Sequence, residues 1–101
     1  MTAFAVLRVP GPAWDRSRPM REQDAWDEHA AFMDRLDEEG FVVLGGPIGD
    51  AQLEFLFLVE AESEEAIRVR LDDDPWTPTG QIRVERIEPW QVLLGAVPTA
   101  R

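Results

Sequence analysis

His29 is the one histidine of this 101-residue chain, whose ten basic residues are all arginine and which contains no tyrosine and no cysteine. A guanidinium stays protonated near neutral pH and is unsuited to ordinary proton transfer. Proton movement around pH 7 therefore falls to His29 and to the 20 acidic side chains. Without lysine there is no Schiff-base chemistry and no P-loop grip on phosphate. Without cysteine there is no thiolate nucleophile, no thiolate zinc site and no disulfide framework. General acid or base work by the imidazole and the carboxylates is the chemistry to expect, and the leading reading calls for no metal and no redox cofactor.

The element that carries His29 is read from spacing. Trp26, His29, Met33 and Leu36 recur at three- and four-residue intervals, with Ala30 and Phe32 flanking them, so one face of a helix is apolar and His29 lies on it. A histidine at such a position either hydrogen-bonds within the core or does chemistry. Gly40 supplies the left-handed stop of this helix. Before it, Phe4 to Val9 reads as a strand closed by Pro10-Gly11-Pro12, and a loop runs to about Pro19. After it, Phe41 to Leu44 and Leu53 to Val59 read as two strands separated by Gly45-Gly46-Pro47 and Gly49-Asp50. Ser63 caps a second helix from Glu64 to about Leu71, which leaves Asp72, Asp73 and Asp74 at its end before Pro75. Gln81 to Ile87 alternates, with Ile82 and Val84 on one side and Arg83 and Glu85 on the other. Val92 to Leu94 forms one extra short strand in this reading.

Strand, helix, strand, strand, helix, strand is the split βαβ order of the ferredoxin-like fold, an α+β class with a four-stranded antiparallel sheet. Both helices cover one face of such a sheet. Leu53, Phe55, Phe57 and Val59 on one side of the third strand and Leu56 and Leu58 on the other are nevertheless all apolar. A second copy of the chain, packed sheet against sheet, is the expected cover for the other face, giving a homodimer.

At 45% apolar content the chain builds one modest core, so residues 1–101 read as a single domain whose last ten or so residues are an extension. The formal net charge of -10 repels nucleic-acid phosphates and anionic headgroups and argues against either partner. No apolar run approaches the length of a membrane helix, and Thr2 to Val9 is too short for a signal segment, so a cytoplasmic location is expected.

Several pieces of the sequence, taken in order, resemble the YCII-related family: Arg21-Glu22-Gln23 opening the first helix, Glu28-His29-Ala30-Ala31-Phe32-Met33 within it, Val43-Leu44-Gly45-Gly46-Pro47, Asp74-Pro75-Trp76 and Glu88-Pro89-Trp90. The resemblance implies the dimeric α+β barrel form of the fold. It also implies a functional pair, a histidine on the first helix and an aspartate in the Asp-Pro-aromatic motif, which carry over to His29 and Asp74. Where some relatives have an arginine shortly before the histidine, this chain has Trp26, with Arg21 further upstream. One branch of the family resembles a dehydrochlorinase acting on a chlorinated hydroxyquinol.

A carboxylate holding one imidazole nitrogen fixes the tautomer and leaves the other nitrogen to exchange a proton with a ligand. The expected function is thus a small enzyme doing isomerisation or elimination on a cyclic or enolisable metabolite, with His29 as acid or base and Asp74 as its orienter. The alternatives are a non-catalytic dimeric module that binds a small ligand or assists a neighbouring enzyme, and a haem protein with His29 as axial ligand. Gly46 and Pro47 would let a ligand approach the backbone, although a strand-ending turn needs the same residues. Trp76, Trp90 and Phe41 would line the pocket mouth or fill core and interface. Arg21 would orient an anionic group, or pair with a neighbouring acid, the latter being favoured.

Overall fold

Alternation along the first strand sets the inner layer. In the computed structural model, which describes residues 1–95, β1 (Thr2–Pro10) buries Phe4, Val6 and Arg8 on one face. The chain continues through a 3-10 turn (Met20–Glu22), α1 (Trp26–Glu38), β2 (Val42–Ile48), β3 (Glu54–Ala61), α2 (Glu64–Leu71), α3 (Trp76–Thr79) and β4 (Ile82–Pro89). The strands form one antiparallel sheet in the order β2-β3-β1-β4. This is the ferredoxin-like α+β arrangement that the element order implies.

Register decides which side chains share a face. Phe4, Val6 and Arg8 lie opposite Val59, Phe57 and Phe55 of β3. Phe4, Val6, Val59 and Phe57 join Phe32 and Leu36 of α1 and Ile67 and Leu71 of α2 in the main core, whereas Phe55 packs in a second cluster with Trp14, Trp76 and Ile82. On the other strand partner, Arg8 lies opposite Val84 while Leu7 lies opposite Arg86, so Glu85 is an extra residue in a bulge. A bulge reverses the parity of the residues beyond it. Ile82, Val84 and Ile87 therefore all serve the helix-facing side despite their mixed spacing.

Local chemistry ends the helices where the sequence indicates. Gly40 takes φ 78° and donates to the Asp37 carbonyl, while the Phe41 N–H reaches the Leu36 carbonyl, a complete Schellman stop for α1. The Ser63 hydroxyl accepts from the Ala66 N–H at 3.1 Å and caps α2.

Four expectations need correction. Arg21 does not open α1, which starts at Trp26; it belongs to the separate 3-10 turn. Gly45, Gly46 and Pro47 do not leave the sheet but continue β2, with Pro47 opposite Phe55. An edge strand tolerates a proline because one side of it needs no ladder donor. The Asp74-Pro75 stretch leads into α3, a single turn hidden from a periodicity reading by Pro75 and Pro78. Val92 to Leu94 forms no strand, and Leu93 and Leu94 are exposed.

The loop between β1 and the 3-10 turn is tied down by one buried amide. The Gln23 side chain accepts from the Asp15 N–H at 2.9 Å and donates to the carbonyls of Asp15 and Arg18 at 2.7 and 2.9 Å. That closure leaves Met20 and Arg21 beside the first turn of α1. No helix is long and apolar enough to cross a membrane among the described residues.

Candidate functional site

Asp74 is held by the end of α2 and the start of α3. Its main-chain N–H donates to the Leu71 carbonyl, and its own carbonyl accepts from Thr77. The side chain is fully buried, and one oxygen accepts from the Trp76 N–H at 2.9 Å. This is the Asx-type turn that an aspartate two residues before a helical N–H readily makes. The turn role and the site role thus coexist in one residue.

His29 comes to that carboxylate from α1. Its Nδ1 lies 2.9 Å from both Asp74 Oδ1 and Oδ2, although the two residues are 45 apart in sequence. With Asp74 ionised, Nδ1 carries the proton and donates, which leaves Nε2 as the free ring nitrogen. Among the described residues Nε2 has no hydrogen-bond partner, yet it is not a sealed atom, since only Arg8 Nε is both buried and unpartnered. The imidazole ring stacks on the Trp76 indole with centroids 3.8 Å apart and planes 7° from parallel. The indole is itself fixed, because its Nε1 donates to the Asp24 carbonyl at 2.7 Å, beside the Gln81 amide that donates there at 2.9 Å. Stacking on one side and the carboxylate at one edge leave the imidazole little rotational freedom.

A third group completes the cluster. Arg8 projects from the inner face of β1, is 1% exposed, and places Nη1 3.0 Å from Asp74 Oδ2. Burial alone would push the Asp74 carboxyl up, but the hydrogen bond from His29 and the charge of Arg8 together hold it below the ordinary carboxylate value. Burial also lowers the Arg8 guanidinium, and Asp74 offsets part of that. Sequence reasoning misses Arg8, which stands there only as a charge within an apolar run. Its parity with Phe4 and Val6 is the available signal, since an arginine in an inward position needs a buried partner.

His29 opens onto a cavity of about 300 Å³. The walls are mostly apolar, from Trp26, Met33, Phe55, Phe57 and Ile82, with Arg21 and Asp34 as the charged members. Gly46 and Pro47 form part of the β2 side, so two of the three Gly-Gly-Pro residues do border the space. Gly45 serves packing instead. A Cβ there would run into Phe57 Cδ1, so its bareness lets the Phe57 ring lie across β2. Arg21 borders the cavity and makes no ion pair among the described residues, which corrects the expectation that it pairs with an acid. Trp76 is not at the pocket mouth. It is fully buried and supports His29 from behind. Trp90 and Phe41 lie outside the cavity wall as well. Among the described residues no three His, Cys, Asp or Glu side chains converge as metal ligands would.

An antiparallel βαββαβ sheet carrying an imidazole–carboxylate pair over a small apolar cavity defines an α+β protein of the ferredoxin-like class. A family model of the YCII-related domain matches residues 3–91, and the chain belongs to that family. No curated protein matches the sequence at a significant level. Among solved structures, the chain is similar to 5-chloro-2-hydroxyhydroquinone dehydrochlorinase (TftG) from Burkholderia phenoliruptrix AC1100, in complex with 2,5-dihydroxybenzoquinone. The match has a TM-score of 0.59 and 23% identity, and covers 88% of this chain and 93% of the other. At that identity the likeness speaks for the fold.

Proposed function

We propose that this protein is a cofactor-independent enzyme that moves protons on a small cyclic or enolisable metabolite, with His29 as general base or acid and Asp74 as its orienter. The observation that carries the reading is that His29 is clamped at Nδ1 by a buried carboxylate while Nε2 is left to the cavity. In the resting tautomer Nε2 has a free lone pair. It takes a proton from a carbon next to a carbonyl or from a ring hydroxyl, and the electron pair moves into the ring as an enolate or phenolate. Returning the proton at another carbon completes an isomerisation. Expelling a leaving group such as chloride from the adjacent position completes an elimination.

The mostly apolar walls, with the rings of Trp26, Phe55 and Phe57, suit a planar ring, and Arg21 suits an anionic oxygen at its edge. Gly46 and Pro47 contribute backbone and ring surface on the β2 side. The similar dehydrochlorinase holds a dihydroxybenzoquinone, so oxygenated and chlorinated six-membered rings are the first substrates to offer. With a true substrate, His29→Gln should lower kcat/KM by about 10²-fold or more while the fold is retained. Unchanged turnover in a folded His29→Gln protein would end the catalytic reading, and saturable binding without product would make the domain a binding module.

The working unit in this reading is a homodimer formed through the open face of the sheet. Ala5, Leu7, Leu56 and Leu58 share that face by register, and Leu44 and Ile48 on β2 add side chains that are 60% and 42% exposed. An apolar sheet face without a helical cover is best matched by its own copy across a two-fold axis.

A further inference from the structure

The reading of His29 and Asp74 as the reacting pair leaves Arg8 without a role, and its placement has the marks of one. An arginine fully inside a 101-residue domain carries a desolvation cost of several kcal/mol, which only a close partner offsets. Arg8 has one strong partner. Nη1 meets Asp74 Oδ2 at 3.0 Å, whereas Nη2 to the Thr77 hydroxyl is 3.5 Å, Nη1 to the Met33 sulfur is 3.9 Å, and Nε is buried with no partner among the described residues. A purely structural arginine would be better satisfied than this. The oxygen it holds is also within 2.9 Å of His29 Nδ1.

We propose that Arg8 is a positioning residue of this site: its guanidinium, seated on the same carboxylate oxygen as His29, fixes Asp74 as an anion and restrains how readily the imidazole accepts a proton. With neutral His29 the buried cluster holds one positive and one negative charge. Protonating His29 adds a second cation beside the first, on a carboxylate whose charge Arg8 already shares. The other charged groups facing the imidazole are Arg21 of the 3-10 turn and Asp34 of α1, of opposite sign and at the cavity wall. Arg8 is thus the fixed charge closest to Asp74. Its charge works against a second cation in the cluster.

The single histidine makes the test direct. The ring resonances of His29 are followed by NMR against pH in the full chain, in wild type, Arg8→Gln and Arg8→Lys. Gln retains an N–H for Asp74 and drops the charge; Lys retains the charge and drops the fork. The titration midpoint is expected to rise by about one pH unit in Arg8→Gln and to stay within roughly 0.3 unit of wild type in Arg8→Lys. An Arg8→Gln midpoint equal to that of wild type overturns the proposal.

If Arg8→Gln does not fold, the wild type still decides. The Arg8 Nη protons must exchange slowly with solvent and lose that protection in Asp74→Asn, and rapid exchange in folded wild type refutes the pairing. No substrate enters either measurement, so the outcome is separate from the fate of the catalytic reading. A midpoint that moves while His29→Gln keeps full turnover would leave the coupling and remove the catalysis.

Discussion

Asp74 receives donors from the imidazole of α1, the guanidinium of β1 and the main chain of α3. The carboxylate therefore matters twice, for the orientation of His29 and for the compensation of Arg8. Asp74→Asn keeps the shape and removes the charge. It is expected to lower turnover about 10²-fold and to destabilise the fold by about 3 kcal/mol, since Arg8 is then buried without a counter-charge. Chemical denaturation and an assay on the same sample check both. The pH dependence comes from the lowered Asp74 pKa. A carboxyl whose folded value lies below its unfolded value of about 3.9 binds fewer protons when folded. Its stabilisation is complete above that unfolded value and drains away as pH falls through the lower folded value. Urea midpoints below about pH 4 should fall more steeply for wild type than for Asp74→Asn; parallel curves would mean that Asp74 is not the group responsible.

At the scale of elements, the two neighbouring glycines of β2 separate cleanly. A methyl at Gly45 would run into the Phe57 ring, whereas one at Gly46 meets nothing within 4 Å. Gly45→Ala should cost about 1–3 kcal/mol and push Phe57 toward the cavity, while Gly46→Ala should be nearly neutral for stability. Thermal melts of the two variants decide it, and equal melting points would contradict the placement of Phe57. Strand and helix types are legible in the sequence because periodicity and punctuation agree over Phe4 to Val9, over the α1 stripe, and at Gly40 and Ser63. Boundaries are less so. Gly-Gly-Pro reads as a turn by composition, yet it stays in β2 because an edge strand makes ladder bonds on one side alone. Arg21 reads as part of α1 because nothing local marks the break between the 3-10 turn and Trp26. That break rests on Ala25 at φ 60°, a conformation no alanine advertises.

For the whole molecule, the open sheet face is the main unspent surface. Sedimentation or light scattering should give twice the 11.5 kDa chain mass at micromolar concentration. Leu56→Glu, which places a charge in the middle of that face, should return a folded monomer. A wild type that stays monomeric at all concentrations would remove the dimer. The acidic surface would then have to keep an exposed apolar face in solution unaided, which is an unfavourable arrangement for so small a domain.

The sequence by itself determined the layer architecture, the helix face that carries His29, the stops of α1 and α2, and the restriction of proton chemistry to one imidazole and the carboxylates. These come from local periodicity, capping chemistry and residue inventory. Only the tertiary structure decided who meets Asp74. Arg8 reaches it because β1 lies inside the sheet with that side chain inward. His29 reaches it because α1 packs across the sheet onto the turn after α2, 45 residues along the chain. Trp76, expected at the pocket mouth, turns inward because its indole finds the Asp24 carbonyl and the imidazole face at once. Contacts between distant segments depend on register, bulges and helix placement together, and no single stretch of sequence carries that sum.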